Sequence, residues 1–142
     1  MERSSTVVWH GSGKEGNGAI TSGSKALNNA SYSWNTRFAE VKGTNPEELI
    51  AAAHAACFTM KLSFLLSGER HIPEEIITTS TITLKENLTQ SHLVVKAKVP
   101  NITQEFFLEC AEKAKNECPV SKALNLKITM DATIELPAKV ES

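Results

Sequence analysis

The sequence carries little excess charge of either sign, and its start shows no targeting pattern. Its 15 Lys and Arg residues nearly balance 16 Asp and Glu residues, which gives a formal net charge of −1. A chain without a basic excess has no electrostatic footprint for nucleic acid or an anionic membrane, so neither partner is expected. Residues 1–6 lack the basic flank and apolar run of a signal peptide, and a cytoplasmic protein is therefore expected.

Cysteine is also scarce, with Cys57, Cys110 and Cys118 as the only three in the chain. Three irregularly spaced cysteines are too few for a disulfide framework or a zinc module. In a reducing compartment such thiols are either buried or reactive. Cys110 falls on the inward face of a predicted helix and is expected to be a core thiol.

The chain has 142 residues, of which 41% are hydrophobic. This size and composition fit one domain over residues 1–142. Short strands separated by polar turns are predicted in the first third, over residues 6–10, 18–24 and 32–38. The first turn matches G-x-G-x-x-G at Gly11, Gly13 and Gly16. A dinucleotide-binding loop must lead into a helix, whereas a strand-like segment follows here, so a hairpin turn is the favoured interpretation.

A long helix is predicted over residues 46–67. Asn45 is placed to be its N-cap, Pro46 to occupy the first helical position and Glu48 the third, and Gly68 is expected to end it. The helix has hardly any polar face and must be covered on nearly all sides. We therefore expect it to pack against its copy in a homodimer.

The same helix raises the question of a membrane span. His54 and Lys61 interrupt its apolar run, which leaves fewer than the roughly 18 clean apolar residues of a typical span. No membrane insertion is expected.

The second half alternates apolar and polar residues in three segments, with two helices before the last segment. Strands over residues 81–85 and 93–99 are expected to pair as an antiparallel hairpin. Thr103 can cap a helix to about Asn116, Pro119 starts a short helix through Leu124, and a strand follows over residues 127–136. The predicted fold class is α+β, with an antiparallel sheet packed on the long central helix.

The cysteines are the strongest candidates for chemistry. Cys57 lies in the long helix three residues after His54, so the two side chains share a face. A Cys/His hydrolase would need an oriented base and oxyanion donors that the sequence does not reveal. A metal site would need more ligands than His54, Cys57 and Cys118 provide.

Cys118 directly precedes Pro119 and is predicted to be the N-cap of the short helix, where free amides stabilise a thiolate. It follows Cys57 by 61 residues (118 minus 57), so only the fold decides whether the two thiols meet. Two thiols placed in this way suggest redox chemistry.

Arg37 and Glu47 are the charged residues that could act on such a thiol. Arg37 would lower the pKa of Cys57 if it pointed toward it; the alternative is an exposed arginine at a strand edge. Glu47 could orient Arg37 but precedes Cys57 by ten residues, about 15 Å along one helix. Either Arg37 bridges between them or a second subunit completes the site.

Three segments closely resemble the osmotically inducible protein C (OsmC) family, relatives of the organic hydroperoxide resistance proteins. They are Asn35-Thr36-Arg37-Phe38, the run from Lys42 to Phe58, and Cys118-Pro119-Val120-Ser121. The similarity extends over nearly the whole chain. His54-Ala55-Ala56-Cys57 and Pro119-Val120-Ser121 are more similar to the OsmC branch than to the hydroperoxide resistance branch.

The resemblance implies a thiol peroxidase built as an intertwined homodimer with its sites at the subunit interface. It assigns Cys57 as the peroxidatic thiolate, which becomes a sulfenic acid, and Cys118 as the thiol that resolves it to a disulfide. Arg37 and Glu47 match the activating pair. No metal, haem, flavin or other cofactor is expected.

The sequence and the resemblance also lead to expectations about the substrate and the reductant. Apolar walls from Phe38, Phe58 and Met60 would favour an organic hydroperoxide over hydrogen peroxide, which has no tail to bury. The resemblance implies a dithiol reductant, for which a lipoyl-type group is one candidate. Two other hypotheses are a non-catalytic, stress-induced dimeric binding protein with core thiols, and a Cys/His hydrolase that depends on His54.

Overall fold

The computed structural model describes residues 1–37 and 42–135. The chain divides into two compact units, an N-terminal unit, Met1–Leu49, and a C-terminal unit, Ile50–Ser142. Each unit has a small sheet, and a long helix begins in the first and continues in the second. The α+β class is therefore confirmed, while a single domain over residues 1–142 stays a prediction.

The N-terminal unit contains a three-stranded antiparallel sheet. Its strands are β1 (Ser5–His10), β2 (Asn17–Ser22) and β3 (Ala30–Tyr32), in the order β1-β2-β3. The glycine-rich segment connects β1 to β2 and leads into a strand. The hairpin interpretation is confirmed, because a dinucleotide loop requires a helix at that point.

Strand β3 is shorter than predicted, because the chain turns after Tyr32. The Thr36 hydroxyl accepts a hydrogen bond from the Ser33 amide at 2.9 Å and donates one to the Ser33 carbonyl at 2.7 Å. These local bonds compete with a strand ladder. Asn35–Arg37 consequently form one turn of 3-10 helix, which corrects the prediction that Arg37 ends a strand. Phe38 lies outside the described residues.

The C-terminal unit has a sheet in the order β4-β5-β6, formed by β4 (Glu75–Leu84), β5 (Leu88–Lys98) and β6 (Lys127–Ile134). Strands β4 and β5 form the predicted antiparallel hairpin. Strand β6 pairs parallel to β5, which corrects the expectation of a purely antiparallel sheet. The helices α2 (Gln104–Glu117) and α3 (Pro119–Ala123) supply the crossover that a parallel pair requires.

Helix α1 (Pro46–Gly68) is one residue longer than predicted and buries a single stripe. The buried side chains recur at every fourth position: His54, Phe58, Leu62 and Leu66. Its apolar members pack with residues of β5 and α2, among them Leu93, Val95, Phe107 and Ala111. The opposite face is exposed, with Met60 at 62% and Phe64 at 71%. Residues 1–37 and 42–135 of one chain therefore do not cover α1 on all sides.

By length and composition alone, α1 could also cross a membrane, since its most apolar window has a mean hydropathy of 1.7. The interruption by His54 and Lys61 is thus not sufficient to exclude a span. Packing is the better argument, because Phe58, Leu62 and Leu66 are completely buried in a protein core. Lys61 pairs with Glu117 at 3.5 Å. These contacts place one face of α1 in the core of the C-terminal unit.

Candidate active site

The structure brings Cys57 and Cys118 together. Cys57 lies on α1, partly buried against the core, and Cys118 is completely buried at the junction of α2 and α3. The Cys118 side chain and the Val120 backbone both lie close enough to the Cys57 thiol to act on its pKa. Both cysteines are free thiols. A pair 61 residues apart in sequence (118 minus 57) is therefore in direct contact.

The surroundings of Cys57 within its unit raise its pKa. Burial is the largest cause, since it disfavours the charged thiolate, and the neighbouring Cys118 side chain favours the neutral thiol further. The Val120 amide acts in the opposite direction and lowers the pKa. The net shift is upward, which differs from the low pKa expected of a peroxidatic cysteine. Of the groups in this unit that act on the Cys57 thiol, the Val120 amide is the one that favours the thiolate.

Cys118 occupies the predicted N-cap of α3, but its side chain makes no capping hydrogen bond to that helix. Its amide instead donates to the Ala114 carbonyl at 3.0 Å and closes the last turn of α2. Cys110 is 6% exposed and lies in the core, as predicted. Burial raises its pKa, and the charges of Glu109 and Glu69 add to that effect.

A buried polar network lies one helical turn from the two thiols. His54 Nδ1 is 2.6 Å from Ser91 Oγ on β5, and His54 Nε2 is 2.8 Å from Ser121 Oγ on α3. Ser91 Oγ continues to Ser80 Oγ on β4 at 2.9 Å. The histidine ring is completely buried, and burial lowers its pKa. A neutral imidazole can donate from one nitrogen and accept at the other, which suits two hydroxyl partners.

This network gives His54 a different role from that of a base for Cys57. Both ring nitrogens are engaged by serine hydroxyls, which leaves neither for the thiol and weighs against the Cys/His hydrolase.

Among residues 1–37 and 42–135, no three His, Cys, Asp or Glu side chains converge to hold a metal ion. Ser80, Ser91 and Ser121 are not among the candidate site residues predicted from the sequence. Ser91 could have been found, because it is the polar member of an otherwise apolar inward row on β5.

Arg37 and Glu47 meet in the N-terminal unit. Arg37 Nη2 is 2.9 Å from Glu47 Oε1, and the guanidinium lies 5.7 Å from the centroid of the Trp34 ring. The Glu47 side chain is 14% exposed, against 30% for Arg37. Glu47 Oε2 is buried and has no hydrogen-bond partner among the described residues. The pair thus retains one unused acceptor oxygen.

Local sequence features hold this pair in place. Asn45 caps α1, since its Oδ1 accepts from the Glu48 amide at 2.7 Å, and its Nδ2 donates to the Thr36 carbonyl at 3.3 Å. One side chain therefore joins the helix that carries Glu47 to the turn that carries Arg37. Gly43 has φ +140°, and a Cβ there would stand 2.6 Å from the Ser31 carbonyl oxygen. A side chain at this position would displace the segment leading into α1.

The apolar walls differ from those expected. Phe58 is completely buried in the core and cannot face a substrate. Met60 lines an open groove of about 610 Å³ between α1 and the start of β4, together with Ala56, Thr59 and Ile76. Phe38 lies outside the described residues. Of the three predicted wall residues, Met60 is the one that the structure places on a groove.

Comparison with known proteins agrees with this architecture. Residues 39–133 match the family model described as OsmC-like protein. The chain is 43% identical over 128 residues to peroxiredoxin OsmC of Escherichia coli K12, covering 87% of this chain and 90% of that protein. It is 33% identical over 98 residues to the organic hydroperoxide resistance protein OhrA of Bacillus subtilis 168, covering 67% and 68%.

The solved structures include a similar protein. The organic hydroperoxide resistance protein OhrB of Bacillus subtilis superposes with a TM-score of 0.65 at 25% identity, covering 92% of this chain and 98% of that one. The relatives' names support a peroxidase-type oxidoreductase. The extent of the family match and the 43% identity leave one conclusion: this chain belongs to the OsmC-like protein family.

Proposed function

We propose that this chain is a thiol peroxidase that reduces organic hydroperoxides to alcohols through Cys57 and Cys118. The observation that carries the proposal is the direct contact of these two thiols. A partly buried thiol beside a second thiol can be oxidised reversibly, because the neighbour captures the sulfenic acid before further oxidation. The relatives named peroxiredoxin and organic hydroperoxide resistance protein support the same chemistry.

The proposed cycle has three steps. The Cys57 thiolate attacks the terminal peroxide oxygen, the O–O bond breaks, and the alkoxide leaves as an alcohol after taking a proton. Cys118 then attacks the Cys57 sulfenic sulfur, forming the S–S bond while the hydroxyl leaves as water. A dithiol reductant reduces this disulfide by thiol–disulfide exchange and becomes a disulfide itself. A lipoyl-type group would meet that requirement.

Arg37 and Glu47 form the activating pair in this proposal. Activation is needed, because burial and the Cys118 contact raise the pKa of Cys57. A guanidinium favours a thiolate, and a carboxylate bonded to it fixes its orientation. We expect Arg37→Ala to raise the pKa of Cys57 further, measured as the pH dependence of its alkylation. An unchanged profile would remove Arg37 from the mechanism, and Arg3→Ala is the matched control for loss of an arginine.

The groove lined by Met60 also carries Glu74 and Glu75, and Cys57 is not among its lining residues. Support for an organic substrate comes instead from the relative named organic hydroperoxide resistance protein. We therefore expect cumene hydroperoxide to be turned over faster than hydrogen peroxide. Equal turnover, or a preference for hydrogen peroxide, would contradict this part of the proposal.

A homodimer belongs to the same proposal. Met60 and Phe64 are large apolar side chains exposed on α1, and a second copy of the helix could cover them. We propose an intertwined dimer of a single OsmC-like domain that acts in the cytoplasm.

The experiment that tests the function is intact mass measurement and non-reducing peptide mapping after one equivalent of cumene hydroperoxide. The reduced protein should lose two hydrogens, mapped to a disulfide between Cys57 and Cys118. Cys57→Ser should abolish peroxide consumption, whereas Cys118→Ser should permit one turnover and then over-oxidise. Equal behaviour of the two variants would show that the assigned roles are wrong.

A dimeric binding protein with core thiols is the second candidate, and the raised pKa of Cys57 favours it. It predicts slow alkylation of both cysteines at neutral pH and no disulfide after peroxide treatment. The same mapping experiment distinguishes the two functions, because two free thiols after exposure to peroxide support only the binding protein.

A further inference from the structure

We propose that His54 is a positioning residue that fixes α3 on α1, so that Cys118 lies within reach of Cys57. The inference rests on the proposed function for its biological purpose, but the geometry that carries it is independent of peroxide chemistry. It assigns a use to the buried histidine and serines that the proposed cycle leaves unexplained.

The two contacts between α1 and the segment from Cys118 to Ser121 form a regular pattern. His54 bonds to Ser121 at 2.8 Å, and Cys57 lies next to Cys118. His54 precedes Cys57 by three residues, and Cys118 precedes Ser121 by three residues. Residues three apart share one helix face. The two contacts are therefore successive links between segments that run in opposite directions, one turn apart on each.

The second ring nitrogen anchors the histidine to the sheet. His54 Nδ1 bonds to Ser91 on β5 at 2.6 Å, and Ser91 bonds to Ser80 on β4 at 2.9 Å. The ring is 0% exposed, so rotating it away would leave buried polar atoms without partners, which is unfavourable. Ser91 thus holds the ring on the side of the sheet, and the ring holds Ser121 on the side of α3.

Helix α3 is short enough to depend on such a contact. It has five residues, Pro119–Ala123, and its own backbone bonds include Lys122 N–H to the Cys118 carbonyl and Leu124 N–H to the Val120 carbonyl. These bonds keep α3 helical but do not fix its position along α1. The Cys118 amide, bonded to the Ala114 carbonyl, ties the start of α3 to α2. The His54–Ser121 bond ties α3 directly to α1 and so raises the effective concentration of Cys118 at Cys57.

The proposed consequence lies in the step after peroxide reduction. The Cys57 sulfenic acid either reacts with Cys118, which releases water and forms the disulfide, or meets a second hydroperoxide, which transfers an oxygen to give the sulfinic acid and an alcohol. A displaced Cys118 slows the first reaction and leaves the second unchanged. Loss of the His54–Ser121 bond should therefore increase over-oxidation.

The experiment compares Ser121→Ala with Ser91→Ala, each of which removes one buried hydroxyl from the same ring. The equilibrium constant for forming the Cys57–Cys118 disulfide is measured in glutathione redox buffers, without any peroxide. We expect Ser121→Ala to lower this constant about tenfold, equivalent to about 30 mV. Ser91→Ala loosens the anchor of the ring to the sheet but leaves the bond to Ser121 in place, so it should change the constant less than about threefold. Ser121→Thr keeps the hydroxyl and should restore the wild-type value.

The outcomes separate this inference from the proposed function. A wild-type constant in Ser121→Ala, or equal losses in the two alanine variants, overturns the positioning role. The expected difference supports it, and one equivalent of cumene hydroperoxide should then give Ser121→Ala a larger sulfinic fraction than Ser91→Ala. If the glutathione result is as expected but peroxide produces no disulfide in the wild type, the positioning role stands and the peroxidase function fails.

Discussion

At the scale of single residues, His54 couples the stability of the core to pH. Burial lowers its pKa from the ordinary value of 6.5, so the unfolded chain binds more protons than the folded chain between that lowered value and 6.5. Stability therefore rises with pH in this window, and the contribution is lost as pH falls from 6.5 through the lowered pKa. His54→Gln has no such titration.

We expect the wild type to lose more thermal stability than His54→Gln when the pH is lowered from about 7.5 to below 6.5. The measurement is the midpoint of thermal unfolding at several pH values in each protein. Because His10, His71 and His92 are present in both proteins, the difference between them reports His54. Parallel curves for the two proteins would contradict a buried, neutral His54.

At the scale of secondary structure, the start of α1 connects local stability to the candidate site. Asn45 bonds both to the Glu48 amide and to the Thr36 carbonyl. Asn45→Ala removes both bonds and should lower the free energy of unfolding by about 1 kcal/mol. Asn45→Asp keeps the acceptor for the Glu48 amide and should remain close to the wild type.

Chemical denaturation of the two Asn45 variants measures this difference. An Ala variant as stable as the wild type would show that the cap contributes nothing in this protein. The Asp variant is informative for the site as well. It lacks the amide that donates to Thr36, so a change in activity at unchanged stability would link the cap to the Arg37 turn.

At the scale of the whole molecule, the exposed face of α1 is the surface on which the proposed dimer can be tested. Phe64 is 71% exposed on this face. If two copies cover it, Phe64→Lys buries a charge in an apolar contact and should convert the dimer to a monomer. Sedimentation equilibrium measures the change. Leu108→Lys is the matched control, because Leu108 is an exposed apolar residue on α2, and its substitution should leave the dimer intact.

Local signals were sufficient for most of the secondary structure. The helix α1 begins at the predicted Pro46, and Thr103 caps α2 by accepting a hydrogen bond from the Phe106 amide at 3.1 Å. Caps, turns and alternation act over a few residues, so they can be recognised in the sequence. The misjudged end of β3 has a local cause too, since Thr36 and Ser33 bond within one turn.

Contacts between residues far apart in the chain were harder to predict from the sequence. The direction of β6 depends on where α2 and α3 return the chain, and a clean alternation of residues is the same in a parallel and an antiparallel strand. The partners of His54 lie 37 and 67 residues away along the chain. No local pattern specifies contacts at such separations.

The sequence by itself determined the helices, the hairpins, the α+β class and, through its motifs, the resemblance to the OsmC family. Those properties follow from short-range hydrogen bonding, side-chain spacing and shared sequence. Only the tertiary structure decided that Cys57 meets Cys118, that His54 is held by two serines, and that burial raises the pKa of Cys57. The reason is physical: a contact and the desolvation of a charge depend on every element packed around a residue, not on its neighbours in the chain.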